Sequence, residues 1–284
     1  ISAIPFIKGT KTKPSPLPSG GTLQADNVAV EFTTKPASTT EEFIKNLKNS
    51  IIDTVKSITD EFEIEAITSG MFEEDQLEHP KACEFGCEPD ADAWELKEND
   101  PPVPFDPNFR SCGGHIHVGC LDKSGKLLHP DVEFLLDEWG KIKMVRGMDI
   151  FHGIISVILD NSEDSIKRRD LYGKAGCHRF TKYGVEYRTL SNYWTKSPYL
   201  SMLMSSLTDD VVEVIVNNQL DELIEEISEE DIKRIINNGH VEDAKMVLNK
   251  YLVNYLSEES KFYLEECLNK VNESVGLIEA WKEI

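Results

Sequence analysis

Residues 111–120 read SCGGHIHVGC. If this stretch is a strand, His115 and His117 share one face about 7 Å apart, while Ile116 and Val118 share the other. Gly113, Gly114 and Gly119 leave the neighbourhood without side chains and permit close approach of a large ligand. Two imidazoles on one sheet face can hold a divalent ion or meet a phosphate oxygen. The same pattern also describes a core strand whose histidines are simply satisfied by neighbours.

Working outward, VEYRTLS (185–191) repeats the alternation and sets Glu186 and Arg188 on one face. A carboxylate can ligate a hard cation and a guanidinium can neutralise oxygen charge beside it, so the pair suits a metal and phosphate centre or, more plainly, a cross-strand ion pair. LQADNVAVEFTT puts Val28, Val30 and Phe32 on one side of a strand and Asn27, Ala29 and Glu31 on the other, offering a third polar strand. RRDLYGKAGCHRFTKYG (168–184) reads as a basic, glycine-punctuated loop. Its Arg168, Arg169, Lys174 and Arg179 reverse the local charge of an acidic chain, which favours an anion such as ATP or balances nearby carboxylates. Neither GxxxxGK[ST] nor a strand-following GxGxxG occurs.

The rest of the chain supplies a frame. STTEEFIKNLKNSIIDTVKSI predicts a helix capped by Thr39 and Glu42, with Phe43, Leu47, Ile51, Val55 and Ile58 on one stripe. FEIEAIT (62–68) alternates like a strand, and 73–110, rich in Asp, Glu and Pro, reads as a long surface excursion. A helix is expected over 130–140 and a buried one over 148–160. Helices run from Pro198 onward, with a capping box at Ser228 and Asp231 and a stop at Gly239. Strands first and helices last give an α+β class with an antiparallel sheet carrying the site. A catalytic domain over 1–206 and an acidic helical extension over 207–284 follow.

The 284 residues carry 51 acidic and 30 basic side chains, a net charge of −21, which repels a nucleic-acid backbone. No apolar run reaches the length of about 20 residues needed to cross a bilayer, so no membrane role is expected and a cytoplasmic location is. Six cysteines are too sparse for a disulfide scaffold, and Cys83 and Cys87 with His115 or His117 only imitate a zinc set.

Five segments in order, GGTLQADNVAVEF, FGCEPDADAW, GGHIHVG, RRDLYGKAG and YGVEYRTLSNYW, resemble the phage-type carboxylate–amine ligases of the glutamine synthetase-like amidoligase superfamily. The likeness spans roughly residues 1 to 200. It implies a glutamine synthetase-like catalytic fold, ATP, magnesium or manganese, and an amide bond made through an acyl phosphate from a carboxylate and an amine substrate. It further implies metal ligation by His115, Glu186 and Glu31, with Asp26 or Asn27 assisting. His117 would contact nucleotide phosphate, Arg188 the transferring phosphoryl group, and Lys174, Arg179 and Arg169 phosphate or acyl phosphate. The family's opening strand, with its Gly-x-Asp-Pro-Glu-like motif, has no counterpart after Ile1, where the first acidic residue is Asp26. The expectation is therefore of a missing front strand or one supplied from elsewhere. The alternative is a catalytically inactive structural or interaction protein, in a virion or as an oligomer, that reuses the fold.

Overall fold

The computed structural model describes residues 1–58, 61–82, 90–103, 105–270 and 275–282. The strands and helices, in chain order, begin with β1 (Ser15–Pro16), β2 (Thr22–Asp26), β3 (Ala29–Phe32), α1 (Thr40–Lys56) and β4 (Ser69–Met71). They continue with β5 (Ala91–Asp92), β6 (Lys97–Glu98), β7 (Phe109–Ser111), β8 (Ile116–Gly119) and α2 (Glu138–Met148). After a π-helical turn at Asp149–Gly153 come α3 (Ile154–Leu159), α4 (Glu163–Leu171), β9 (Cys177–Phe180) and β10 (Gly184–Tyr187). Helices α5 (Pro198–Val216), α6 (Leu220–Ile227), α7 (Glu229–Asn238), α8 (Val241–Lys250), α9 (Glu258–Lys270) and α10 (Leu277–Lys282) close the chain.

The main sheet has five strands in the order β6-β5-β9-β10-β8, all antiparallel. Its register sets Glu186 opposite both His117 on β8 and Arg179 on β9. Ile116, Tyr187 and His178 form the next row, on the opposite face. A three-stranded sheet, β1-β2-β3, and a two-stranded one, β4-β7, stand beside it. The chain is α+β, as the alternating early segments and periodic late ones predict.

The back of the main sheet packs on one core that includes Val118, Val185 and Tyr187 from the sheet and Met148, Phe151, Leu203, Leu207 and Val211 from the helices. Helix α5 runs through this core, and the expected boundary after residue 206 falls inside it. The predicted caps are present: Thr39 accepts from the Glu42 N–H, Ser228 from the Asp231 N–H, and Gly239 ends α7 in the left-handed region. Among the described residues no helix is long and apolar enough to cross a membrane.

Several expectations are corrected. Residues 62–68 form no strand; only Ser69–Met71 pairs, with β7, and Phe62 and Ile67 stay exposed because no partner strand covers their alternation. The 73–110 excursion is partly built into the main sheet, through β5. The helix expected over 130–140 divides into a 3-10 segment, Pro130–Leu136, and α2, because Asp137 caps a new start. Arg168 and Arg169 belong to the last turn of α4 and are no part of a loop. Cys83 and Cys87 lie outside the described residues.

Candidate active site

On the front of the main sheet the polar side chains converge. Glu186 is ion-paired to the Nη1 of Arg188, and the Nδ1 of His115 lies 3.1 Å from the Glu186 carboxylate and 3.1 Å from Arg188 Nη1. With Nδ1 bare the imidazole accepts from Arg188; with Nδ1 protonated it donates to Glu186. Asp90, just before β5, ion-pairs with Arg188 Nε at 2.7 Å and with Arg179 Nε at 3.3 Å. One carboxylate thus holds two guanidinium groups together. His117 sits next along the face, its Nδ1 2.8 Å from the hydroxyl of Tyr183 in the β9–β10 turn.

Burial sets the charge states. It pushes the Glu186 carboxyl up, but the His115 hydrogen bond and the Arg188 charge outweigh it and hold the group at about 2, so it is ionised across the neutral range. His115 and His117 are shifted down, chiefly by burial, so both rings are neutral near pH 7 and can offer a lone pair. Across the cavity, Glu31 on β3 is shifted up by burial and by Asp26, against a hydrogen bond from Gln24. Asp26, at the end of β2, pairs with Lys11.

A cavity of about 1740 Å³ lies over this face. Asp90, His115, His117 and Arg188 line it, together with Asp26, Asn27 and Glu31 from the β2–β3 hairpin and the apolar Phe32, Phe43, Leu47 and Ile51. The volume exceeds the roughly 300–1,000 Å³ usual for one ligand. Asn27 takes the left-handed conformation, φ 52°, and its side chain bridges Arg110 and the carbonyl of Ala82, so it shapes the hairpin tip.

Three basic residues stand otherwise than the loop reading expects, and Arg179, although paired with Asp90, does not line the cavity. Arg168 is 3% exposed and spends its guanidinium on the carbonyls of Cys112, Thr189 and Leu190 at 2.8–2.9 Å. It thereby clamps the ends of the two segments that carry His115 and Arg188. Arg169 is buried, donates to the Asp160 carbonyl, and does not line the cavity. Lys174 is exposed outside the cavity lining, on a turn whose carbonyl accepts from Thr189. Gly114, which lines the cavity, is also required by packing: a Cβ there would lie 2.4 Å from the Ser191 carbonyl and 2.5 Å from Trp194 Nε1.

Metal ligation is less complete than the spacing suggests. Among the described residues no three His, Cys, Asp or Glu side chains converge to hold an ion. His115 and Glu186 make an adjacent pair of donors, and Glu31 lines the same cavity as His115. Sequence reading missed Asp90 and Tyr183. Asp90 lies in FGCEPDADAW, a motif noticed as a whole, but only sheet register shows its partners.

No curated protein and no solved structure matches the chain. The family model described as phage phiEco32-like COOH.NH2 ligase-type 2 matches residues 103–262, more than half of the chain. That span contains His115, His117, Arg179, Glu186 and Arg188 and leaves Asp26, Glu31 and Asp90 outside it. With its ordered histidine and Glu-x-Arg strands side by side on one sheet face, the chain belongs to the phage phiEco32-like COOH.NH2 ligase type 2 family.

Proposed function

We propose that the protein is an ATP-dependent carboxylate–amine ligase on a glutamine synthetase-like architecture, working through an acyl phosphate. The observation that carries the reading is the grouping of Asp90, His115 and Arg188 at a cavity larger than a single ligand needs, with Glu186 bonded to Arg188 and beside His115. A ligase must hold a nucleotide and two further substrates together, and it gains rate by positioning them and by stabilising phosphoryl charge.

The roles follow from placement. Arg188, held between Glu186 and Asp90 and lining the cavity, would meet the transferring phosphoryl group; Arg179, on the other side of Asp90, would add charge beside it. His117, with its ring oriented by Tyr183, would contact nucleotide phosphate. His115 with its neighbour Glu186, and Glu31 with Asp26, would hold magnesium or manganese, which ordinarily takes one or two protein carboxylates and completes its shell with phosphate oxygens and water. When bound, the ion neutralises phosphate charge. The raised Glu31 carboxyl suits that arrangement, because an incoming cation favours its ionised form.

A second reading, an inactive protein that reuses the fold as a structural or virion component, is favoured by the absence of three converging ligands among the described residues. One experiment decides. The chain is incubated with ATP, magnesium and mixtures of amino acids or peptides. ADP and phosphate released only when a carboxylate and an amine are both present is the expected result. A folded protein that binds neither ATP nor manganese overturns the ligase reading.

A further inference from the structure

Behind the sheet, on the face away from the cavity, one carboxylate belongs to no ion pair among the described residues. Asp149 is wholly buried, at the first position of the π-helical turn that interrupts the helix between α2 and α3. Its Oδ2 accepts from the Trp94 indole N–H at 2.6 Å and from the Gly176 N–H at 2.6 Å. Its Oδ1 accepts from the Tyr187 hydroxyl at 2.8 Å, with the Thr189 hydroxyl at 3.3 Å.

Those donors come from three chain segments, and each segment carries a front-face residue a few positions away. Trp94 follows Asp90, Gly176 precedes Arg179, and Tyr187 and Thr189 alternate with Glu186 and Arg188. The connection through Gly176 is tight. It takes φ 81°, and a Cβ there would lie 2.6 Å from Asp92 Oδ1, which itself accepts from the Trp94 N–H. Burying a carboxylate is costly unless donors replace water, and an apolar residue would fill the space without that cost. Such a group is retained where its directional bonds fix geometry. π-helical turns recur near functional sites for a related reason, since the extra residue re-aims side chains.

We propose that Asp149 is the positioning residue of the site, a hub behind the sheet that fixes Asp90, Arg179, Glu186 and Arg188 relative to one another. The proposal rests on reading their shared face as the phosphate-binding face. Burial raises the Asp149 carboxyl to about 7 despite its donors, consistent with a group kept for its bonds rather than its charge.

The test compares Asp149→Asn with Leu223→Ala, a buried change in α6 remote from the site that also lowers stability. Asparagine matches the shape but turns an N–H₂ toward donors. The expected result is a kcat per folded molecule about 100-fold lower in Asp149→Asn, with the KM for ATP changed less than about threefold, and near-normal kcat in Leu223→Ala. A second readout needs no turnover. Exchange of the buried Arg188 Nε–H, followed by NMR, should quicken by about tenfold or more in Asp149→Asn and stay slow in Leu223→Ala. Unchanged exchange in Asp149→Asn overturns the proposal, whatever reaction the site performs. Quickened exchange in a chain that shows no ligase activity upholds the hub and tells against the ligase reading alone. If Asp149→Asn does not fold, Tyr187→Phe, which removes one donor, should give the same two changes at smaller size; unchanged kcat and exchange there overturn the proposal.

Discussion

The two faces of the β9-β10-β8 unit are built on different principles. The front is built on ion pairs, Glu186 with Arg188 and Asp90 with Arg188 and Arg179, with the neutral His115 set among them; Asp90, His115 and Arg188 line the cavity. The back sets Val118, Val185 and Tyr187 into an apolar core around the buried carboxylate of Asp149, whose partners are neutral donors. On the front, the ion pairs stand at a cavity large enough to admit ligands. On the back, the bonds of Asp149 are consumed by the fold. Changes to the front should therefore register in chemistry and changes behind it in stability, with Asp149 crossing between the two.

The largest expected effect lies on the front. Arg188→Ala should lower turnover by about 10³-fold or more, the scale of an arginine acting on a phosphoryl group. Steady-state release of ADP checks it, and near-normal turnover would dissolve the contrast between the faces. Arg168→Met should come next and behave oppositely. Three carbonyls lose their donor, which costs roughly 3 kcal/mol of stability in chemical denaturation. Burial, helped by the neighbouring Arg169 charge, pulls the Arg168 guanidinium down, to about 10, against the charge of Asp160.

Acid sharpens the comparison, since the two faces respond with opposite sign. Glu186 is held at about 2 against an ordinary 4.5, so its contribution is present above about pH 4.5 and is lost as pH falls toward 2. Asp149 is raised from 3.8 to about 7, so the folded state binds its proton more tightly than the unfolded chain does. Its penalty is absent below about pH 4, grows up to about pH 7, and is constant beyond. Denaturation of wild type, Glu186→Gln and Asp149→Asn at pH 3 to 8 should show wild type gaining on Asp149→Asn between pH 7 and 4. Wild type should then lose its lead over Glu186→Gln below about pH 4.5. Parallel curves would mean that neither group is shifted as the structure implies.

The smallest effect is expected at Lys174, exposed and outside the cavity lining. Lys174→Ala should change stability by less than about 0.5 kcal/mol and leave turnover within about twofold. A large loss would extend the active face around the turn at Gly176.

Much of the front face was legible in the chain. His115 with His117 and Glu186 with Arg188 stand two apart in short β-branched runs, and a period of two needs no tertiary knowledge to be read. The α+β class and the caps at Thr39, Ser228 and Gly239 were legible for the same reason, because capping is decided within one turn of chain. The strand expected at 62–68 failed where alternation lacked a partner, since a ladder is a property of two strands. Arg168 and Arg169 read as part of a phosphate loop because sequence records charge and omits direction. Helix α4 aims both inward at backbone carbonyls.

Sequence by itself determined the residues that can bear charge on a shared strand face, the family, and the places where helices start and stop. Tertiary structure alone decided that Asp90 would hold Arg188 and Arg179, that Arg168 would clamp strand ends, and that Asp149 would sit behind all of them. The physical reason is range. Periodicity and capping act over a few residues, whereas an ion pair or a buried hydrogen bond depends on distance in space, and Asp149 reaches donors 27 to 55 positions away through register and packing that no local pattern encodes.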